Sequence, residues 1–260
     1  MKKDNNFSIL ITGASSGLGR ALAENYAKKN VRLFLVARNI RNLQEVQKIC
    51  QNKGSEVEIA KIDVADKSST CKWIADMNKK YQLNLVIANA GISAGSDGGV
   101  EDFDQVNRIF ATNLGGVLNS IHPVIEDFCD RKSGQIVIIS SLAGIRGLPS
   151  CPAYSASKAA VRFYGQALRG SLMKFGVKVN VVCPGYIKTP MTDVNDFPMP
   201  FIMSADRAAK IIKHGIAKNK PLIAFPFIFY ALIFVMSILP NGLADVIFSK
   251  LPSKKSITNQ

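Results

Sequence analysis

Two histidines, His122 and His214, are all that the 260 residues contain. A histidine-based metal site needs more nitrogen donors than that, so no metal is expected. The five cysteines, at 50, 71, 129, 151 and 183, are odd in number and form no C-x-x-C pair. That excludes zinc-finger spacing. It reads as reduced thiols in a cytoplasmic protein, several of them in apolar surroundings. No apolar run follows MKKDNNF; SILITGASSG leads straight into glycines, so no signal peptide is expected. Acidic residues are scarce: 19 Asp+Glu against 33 Lys+Arg leave a net charge of +14. Such a surface attracts nucleic acid, an anionic membrane or an anionic cofactor. An arginine-rich arm and basic runs with interleaved aromatics are both missing, so nucleic acid is set last. Charge itself is missing from Pro221 to Ala244.

What is present is a regular alternation. Apolar runs at 7–13, 31–38, 56–64, 83–91, 134–141 and 177–185 read as strands. Between them, 17–30, 42–54, 67–81, 101–132 and 153–176 read as helices, the 101–132 region interrupted by Gly115, Gly116 and Pro123. Near-continuous apolar strands separated by helices predict an α/β fold. The sheet is parallel, doubly wound and covered on both faces, a Rossmann fold in a single domain. Ligands on such a sheet bind beyond the carboxyl ends of the strands. Thr12–Gly13, Arg38, Asp63, Asn89–Gly91, Ser140–Ser141 and Pro184–Gly185 all fall along that edge.

TGASSGLG follows the first strand and opens the first helix. Gly13, Gly17 and Gly19, with Ser15, Ser16 and Leu18 between them, suit a close backbone approach to a pyrophosphate at a helix N-terminus. About 20 residues on, an NAD site carries an acidic residue for the ribose 2′-hydroxyl. The second strand ends VARN instead, with Arg38 where the carboxylate would stand. A guanidinium can hold a 2′-phosphate by paired charged hydrogen bonds, so NADP(H) is favoured over NAD(H).

Tyr154 and Lys158 stand four residues apart in YSASK. On a helix that spacing places both on one face. A cation beside a phenol lowers its pKa, which predicts a group able to exchange protons near neutral pH. TGASSGLG, ANAG, Asn113, the serine pair at 140–141 and YSASK, in this order, resemble the short-chain dehydrogenase/reductase family over about residues 7–190. The resemblance implies roles. Tyr154 is the general acid in reduction and the base in oxidation. Lys158 depresses its pKa and holds the nicotinamide ribose. Ser141, 13 residues before Tyr154, steadies the carbonyl oxygen, and Asn113 holds a water that relays protons. Ile187 and Thr189, after Pro184 and Gly185, match the positions that hold the nicotinamide carboxamide. Asp63 and Val64 match the adenine pocket, and Asn89, Ala90 and Gly91 border the adenosine. The family also implies a homodimer, or a tetramer, paired through 103–130 and 153–175.

The chain departs from the family at its end. Residues 1–225 read as the catalytic domain and 226–260 as an apolar and basic C-terminal extension. LIAF (222–225) sits where the last strand belongs. Three readings of the apolar run are open. The first, which is preferred, is a helix in the membrane interface, helped by the basic surface, with 221–250 in peripheral contact on the inner face of a membrane. The second packs it on a dimer partner or over the substrate pocket. The last is a true span, which Pro226 and Pro240 cut short. The loop 191–203 carries Met191, Phe197, Met199, Phe201 and Met203, a flexible apolar lid. No Arg or Lys lies between 189 and 206 to clamp an anion. The expected substrate is a lipophilic carbonyl or alcohol. The reading from another class is a catalytically silent NADP(H)-binding regulator on the same fold.

Overall fold

The computed structural model describes residues 6–248 and 254–256. Residues 1–5, and 249–253 and 257–260 of the extension, lie outside the described residues. The chain alternates as its pattern requires: β1 (Phe7–Thr12), α1 (Gly17–Tyr26), β2 (Val31–Ala37), α2 (Ile40–Asn52), β3 (Glu56–Lys61), α3 (Lys67–Tyr81) and β4 (Leu85–Ala88). Then come α4 (Phe103–Phe110), α5 (Gly116–Asp130), β5 (Gln135–Ile139), α6 (Pro152–Met173) and β6 (Lys178–Pro184). A short excursion follows: β7 (Ile187–Lys188), α7 (Pro190–Asp193) and β8 (Met203–Ser204). The chain returns through α8 (Ala205–Ala217) to β9 (Leu222–Phe225), and ends in α9 (Phe227–Ser237) and α10 (Asn241–Phe248).

Seven strands form one parallel sheet in the order β3-β2-β1-β4-β5-β6-β9. LIAF is its seventh strand, with Val181 opposite Leu222. Strand side chains alternate between the two faces. Ile9, Ile11, Leu33 and Leu35 pack on one face with Leu22, Leu43, Val46 and Ile212 from α1, α2 and α8. Leu10, Phe34, Val86 and Ile138 pack on the other with Ile74, Ile121, Phe128 and Val161 from α3, α5 and α6. Burial of each such side chain contributes about 1.5–3 kcal/mol. The order of strands reverses between β1 and β4, which opens a crevice above their carboxyl ends.

The region read as one interrupted helix over 101–132 breaks differently. A single π turn, Ala111–Gly115, separates α4 from α5. Pro123 interrupts nothing; it lies inside α5. The missing N–H of Pro123 leaves the Asn119 carbonyl without its helical donor. The Cys71 thiol from α3 lies 3.6 Å from that carbonyl oxygen and donates to it.

No helix among the described residues is long and apolar enough to cross a membrane. α9 instead lays Phe229, Tyr230 and Ile233 on Leu142, Val181 and Cys183 at the sheet's edge. Its other faces are exposed, Phe227 at 74% and Ile228 at 68%.

Candidate active site

One cleft of about 470 Å³ opens over the strand ends. Every site residue named from the sequence lines it except Asn113. At its floor the glycine loop joins β1 to α1. Gly13 takes a left-handed φ of +67°. At Gly19 a Cβ would stand 2.1 Å from the Gly13 carbonyl oxygen, so no larger residue fits that turn. Ser16 caps α1 through its backbone alone, with no side-chain hydrogen bond, and the first turn carries no acidic residue. The leading N–H groups of the helix therefore face the cleft without a competing carboxylate, as an anion site requires. This cradle fits a dinucleotide pyrophosphate. The loop is fastened to β4: Asn89 Nδ2 donates to Thr12 O at 2.8 Å, and the Thr12 hydroxyl accepts from the Asn89 and Ala90 N–H groups. Asn89 thus works on the protein side of the crevice.

Arg38 follows β2 and is exposed, with Asp63 Oδ2 3.8 Å from its guanidinium. A pair this long and this wet is weak. The guanidinium is free to turn to a stronger anion, and Asn39 beside it lines the same wall. Val64 lies deeper, buried against Gly116.

The other half of the cleft collects the polar residues. Ser140 and Ser141 follow β5 and divide their work. The Ser140 hydroxyl is buried and donates to the Lys158 carbonyl at 2.7 Å. The Ser141 hydroxyl accepts from Ala143 N–H at 3.1 Å and keeps its proton for the cleft. α6 brings Tyr154 and Lys158 to one face, with Lys158 Nζ 5.9 Å from the Tyr154 ring centre. Lys158 is 4% exposed and donates to the Ile139 carbonyl at 3.0 Å.

The expected depression of the Tyr154 pKa does not occur. Burial pushes the phenol up to about 12, against an opposing pull from the Ser141 hydroxyl. Burial also pushes Lys158 down to about 8. Desolvation therefore outweighs the mutual influence expected from the i,i+4 spacing. Tyr154 stays protonated at neutral pH, the state a general acid needs.

Asn113 stands behind the wall, in the π turn. Its side-chain oxygen accepts from Ile92 N–H at 2.8 Å. Its amide protons go to the Ile92 carbonyl at 2.9 Å and to Ser157 Oγ at 3.0 Å. Its side chain binds the loop after β4 to α6, so it has no N–H left for a water.

The rim is apolar. Tyr186 stacks on Phe229 at 6.0 Å, and Phe197 meets Tyr186 edge-on at 6.4 Å. α9 thus covers this end of the cleft with Phe229 and Ile233. The absence of a cation at 189–206 does not leave this side uncharged. Lys254, from the tail, reaches into the cleft. Nothing local in the sequence marks it, because the tail returns to the site from the far end of the chain.

Residues 8–197 match the family model of the short chain dehydrogenases. The chain belongs to the short-chain dehydrogenase family. An uncharacterized oxidoreductase of Myxococcus xanthus (strain DK1622) is 36% identical over 245 residues, 94% of this chain and 97% of the relative. The fold is shared with a short-chain dehydrogenase from Sphingobium yanoikuyae in complex with NADPH, TM-score 0.80 and 23% identity, covering 98% of this chain and 100% of that one. It is shared too with a 3-oxoacyl-[acyl-carrier protein] reductase from Brucella melitensis with bound NAD, TM-score 0.73 and 24% identity, covering 84% of this chain and 89% of that one. The family fixes an oxidoreductase on a seven-stranded parallel sheet.

Proposed function

We propose that this short-chain dehydrogenase is an NADP(H)-dependent oxidoreductase that interconverts a lipophilic carbonyl and its alcohol. The observation that carries the reading is the meeting of Ser141, Tyr154 and Lys158 in the cleft whose other end is the glycine cradle. When bound, the nicotinamide supplies the hydride. The chain's own residues do the rest. Ser141 donates to the carbonyl oxygen and Tyr154 delivers its phenolic proton there as charge develops. Lys158 would hold the nicotinamide ribose, and Ile187 and Thr189 the carboxamide of the nicotinamide ring. Asn113 acts by fixing the loop after β4 against α6. The Tyr186, Phe197 and Phe229 cluster favours an apolar substrate body.

NADP(H) over NAD(H) rests on Arg38. The solved relatives include one with NADPH and one with NAD, so both cofactors occur on this fold. Titration of the full chain with NADPH and NADH tests the assignment. Wild type is expected to bind NADPH at least about tenfold more tightly, as a charge-assisted guanidinium–phosphate contact provides. Arg38→Ala is expected to erase the difference. Equal affinities in wild type would overturn the NADP(H) assignment.

A further inference from the structure

Residues 254–256 lie as a strap across the cleft. On one side the strap is tied to the loop after β4. Gly95 N–H donates to the Lys255 carbonyl at 2.7 Å, Asp97 N–H to the Lys254 carbonyl at 3.0 Å, and Ser256 N–H to Asp97 Oδ1 at 2.9 Å. On the other side Lys255 Nζ reaches Asp196 Oδ2, on the loop after α7, at 3.0 Å. The approach is so close that a Cβ at Gly95 would stand 2.2 Å from the Lys254 carbonyl oxygen. Alternation along the strap then turns Lys255 out and Lys254 in. Lys254 Nζ donates to the Ser93 hydroxyl at 2.5 Å and stands 5.3 Å from the Tyr154 ring centre.

Among the described residues, no carboxylate lies within ion-pair distance of Lys254 Nζ. Burial lowers its pKa, so its charge is poorly solvated where it stands. Its neighbours are the Tyr154 ring, the Ser93 hydroxyl and the Cys151 thiol, whose own pKa burial raises. None of these neutralises it. An ammonium drawn from water with no counter-charge is costly, and a ligand anion that pairs with it recovers that cost.

We propose that Lys254 selects the substrate by pairing with an anionic group next to the reacting carbonyl, so that this enzyme takes a lipophilic oxo acid in preference to a neutral ketone. The proposal rests on the oxidoreductase reading above and narrows its substrate class. Ser141 and Tyr154 receive the carbonyl, Lys254 receives the carboxylate, and Phe197, Phe229 and Ile233 receive the chain. With Lys254 Nζ 5.3 Å from the Tyr154 ring centre, the carboxylate belongs close to the reacting carbonyl, and a 2-oxo acid is the shortest substrate of that kind.

The test compares 2-oxodecanoate with its methyl ester, which shares the carbon skeleton and lacks the charge. Both are reduced with NADPH by the wild-type chain, Lys254→Met and Lys254→Arg. Wild type is expected to favour the acid in kcat/KM. Lys254→Met is expected to cut the acid-to-ester ratio about tenfold or more, the scale of a lost charge-assisted hydrogen bond, with the loss in KM. Lys254→Arg is expected to restore the ratio. An unchanged ratio overturns the proposal: if acid and ester fall together, Lys254 serves Tyr154 or the fold, and if neither falls it is a bystander. Should wild type reduce neither compound, the oxidoreductase reading is what fails for this class. Calorimetry of decanoate against decanamide on the NADPH-loaded chain then decides Lys254 separately. A decanoate preference that disappears in Lys254→Met upholds the pairing, and equal binding of the two ligands sinks it.

Discussion

Burial moves the pKa values of Tyr154 and Lys158 in opposite directions, the phenol up and the ammonium down. The four-residue interval correctly places both groups on one face of α6. It carries no information on solvent, and solvent decides the pKa values here. The folded-state pKa of Lys158, about 8, lies below its ordinary 10.5. The folded state therefore carries a penalty that is full below pH 8 and fades as pH rises toward 10.5. Its upper size is about 3 kcal/mol, offset by about 1 kcal/mol for the hydrogen bond to Ile139. Lys158→Met is expected to melt above wild type at pH 7 while losing turnover. The gap in melting temperature should close between pH 8 and 10.5. A variant that melts below wild type at pH 7 contradicts the desolvation account. Ser141 and Ser140 were separable in the sequence only by counting back from Tyr154. The structure gives the physical distinction, since one hydroxyl is spent on the Lys158 carbonyl and the other is not.

At the scale of elements, the strands and most helices were legible because burial on both faces writes itself as unbroken apolar runs. α3 falls on 67–81 as its pattern predicts. The π turn was not legible as such. NLGG signals a weak helix, but the turn is held by Asn113, whose partners are 21 and 44 residues away. Removing that side chain strips Ile92 of both its main-chain partners. Asn113→Ala is expected to cost about 2–4 kcal/mol, the range for several buried hydrogen bonds lost together. The expected readout is a lowered denaturation midpoint with an unchanged denaturant slope. A variant within about 0.5 kcal/mol of wild type would show that the π turn stands without it. The apolar run after β9 was legible as a segment that must bury something. Which face it buries depends on β6 and the cleft, and these lie beyond any local window.

At the scale of the whole molecule, one end of the chain supplies groups to a site assembled by the rest. Lys254 and Phe229 reach the cleft from beyond the family's matched residues 8–197, which is why motif order pointed to the glycine loop and YSASK and to neither of these two. The outward side of α9, the turn after it and α10 carry Phe227, Ile228, Ile238 and Val246, all more than half exposed. We propose that this face rests on an anionic lipid surface, drawn there by the net charge of +14. Flotation with vesicles containing anionic lipid is expected to carry the protein up at low salt, and neutral vesicles are expected to carry less. Equal recovery in the soluble fraction with both would remove the proposal.

The central claim is that Tyr154 transfers the proton in a cleft that binds NADPH independently of it. The direct measurement pairs NADPH binding with carbonyl reduction in Tyr154→Phe, which deletes one oxygen and keeps the ring beside Lys158 and Lys254. The account predicts NADPH affinity within about twofold of wild type and a turnover reduced at least about a hundredfold, the scale of general acid catalysis. Turnover preserved in Tyr154→Phe would contradict it, and so would a wild-type chain that binds NADPH and reduces no carbonyl, the behaviour of a silent nucleotide-binding regulator.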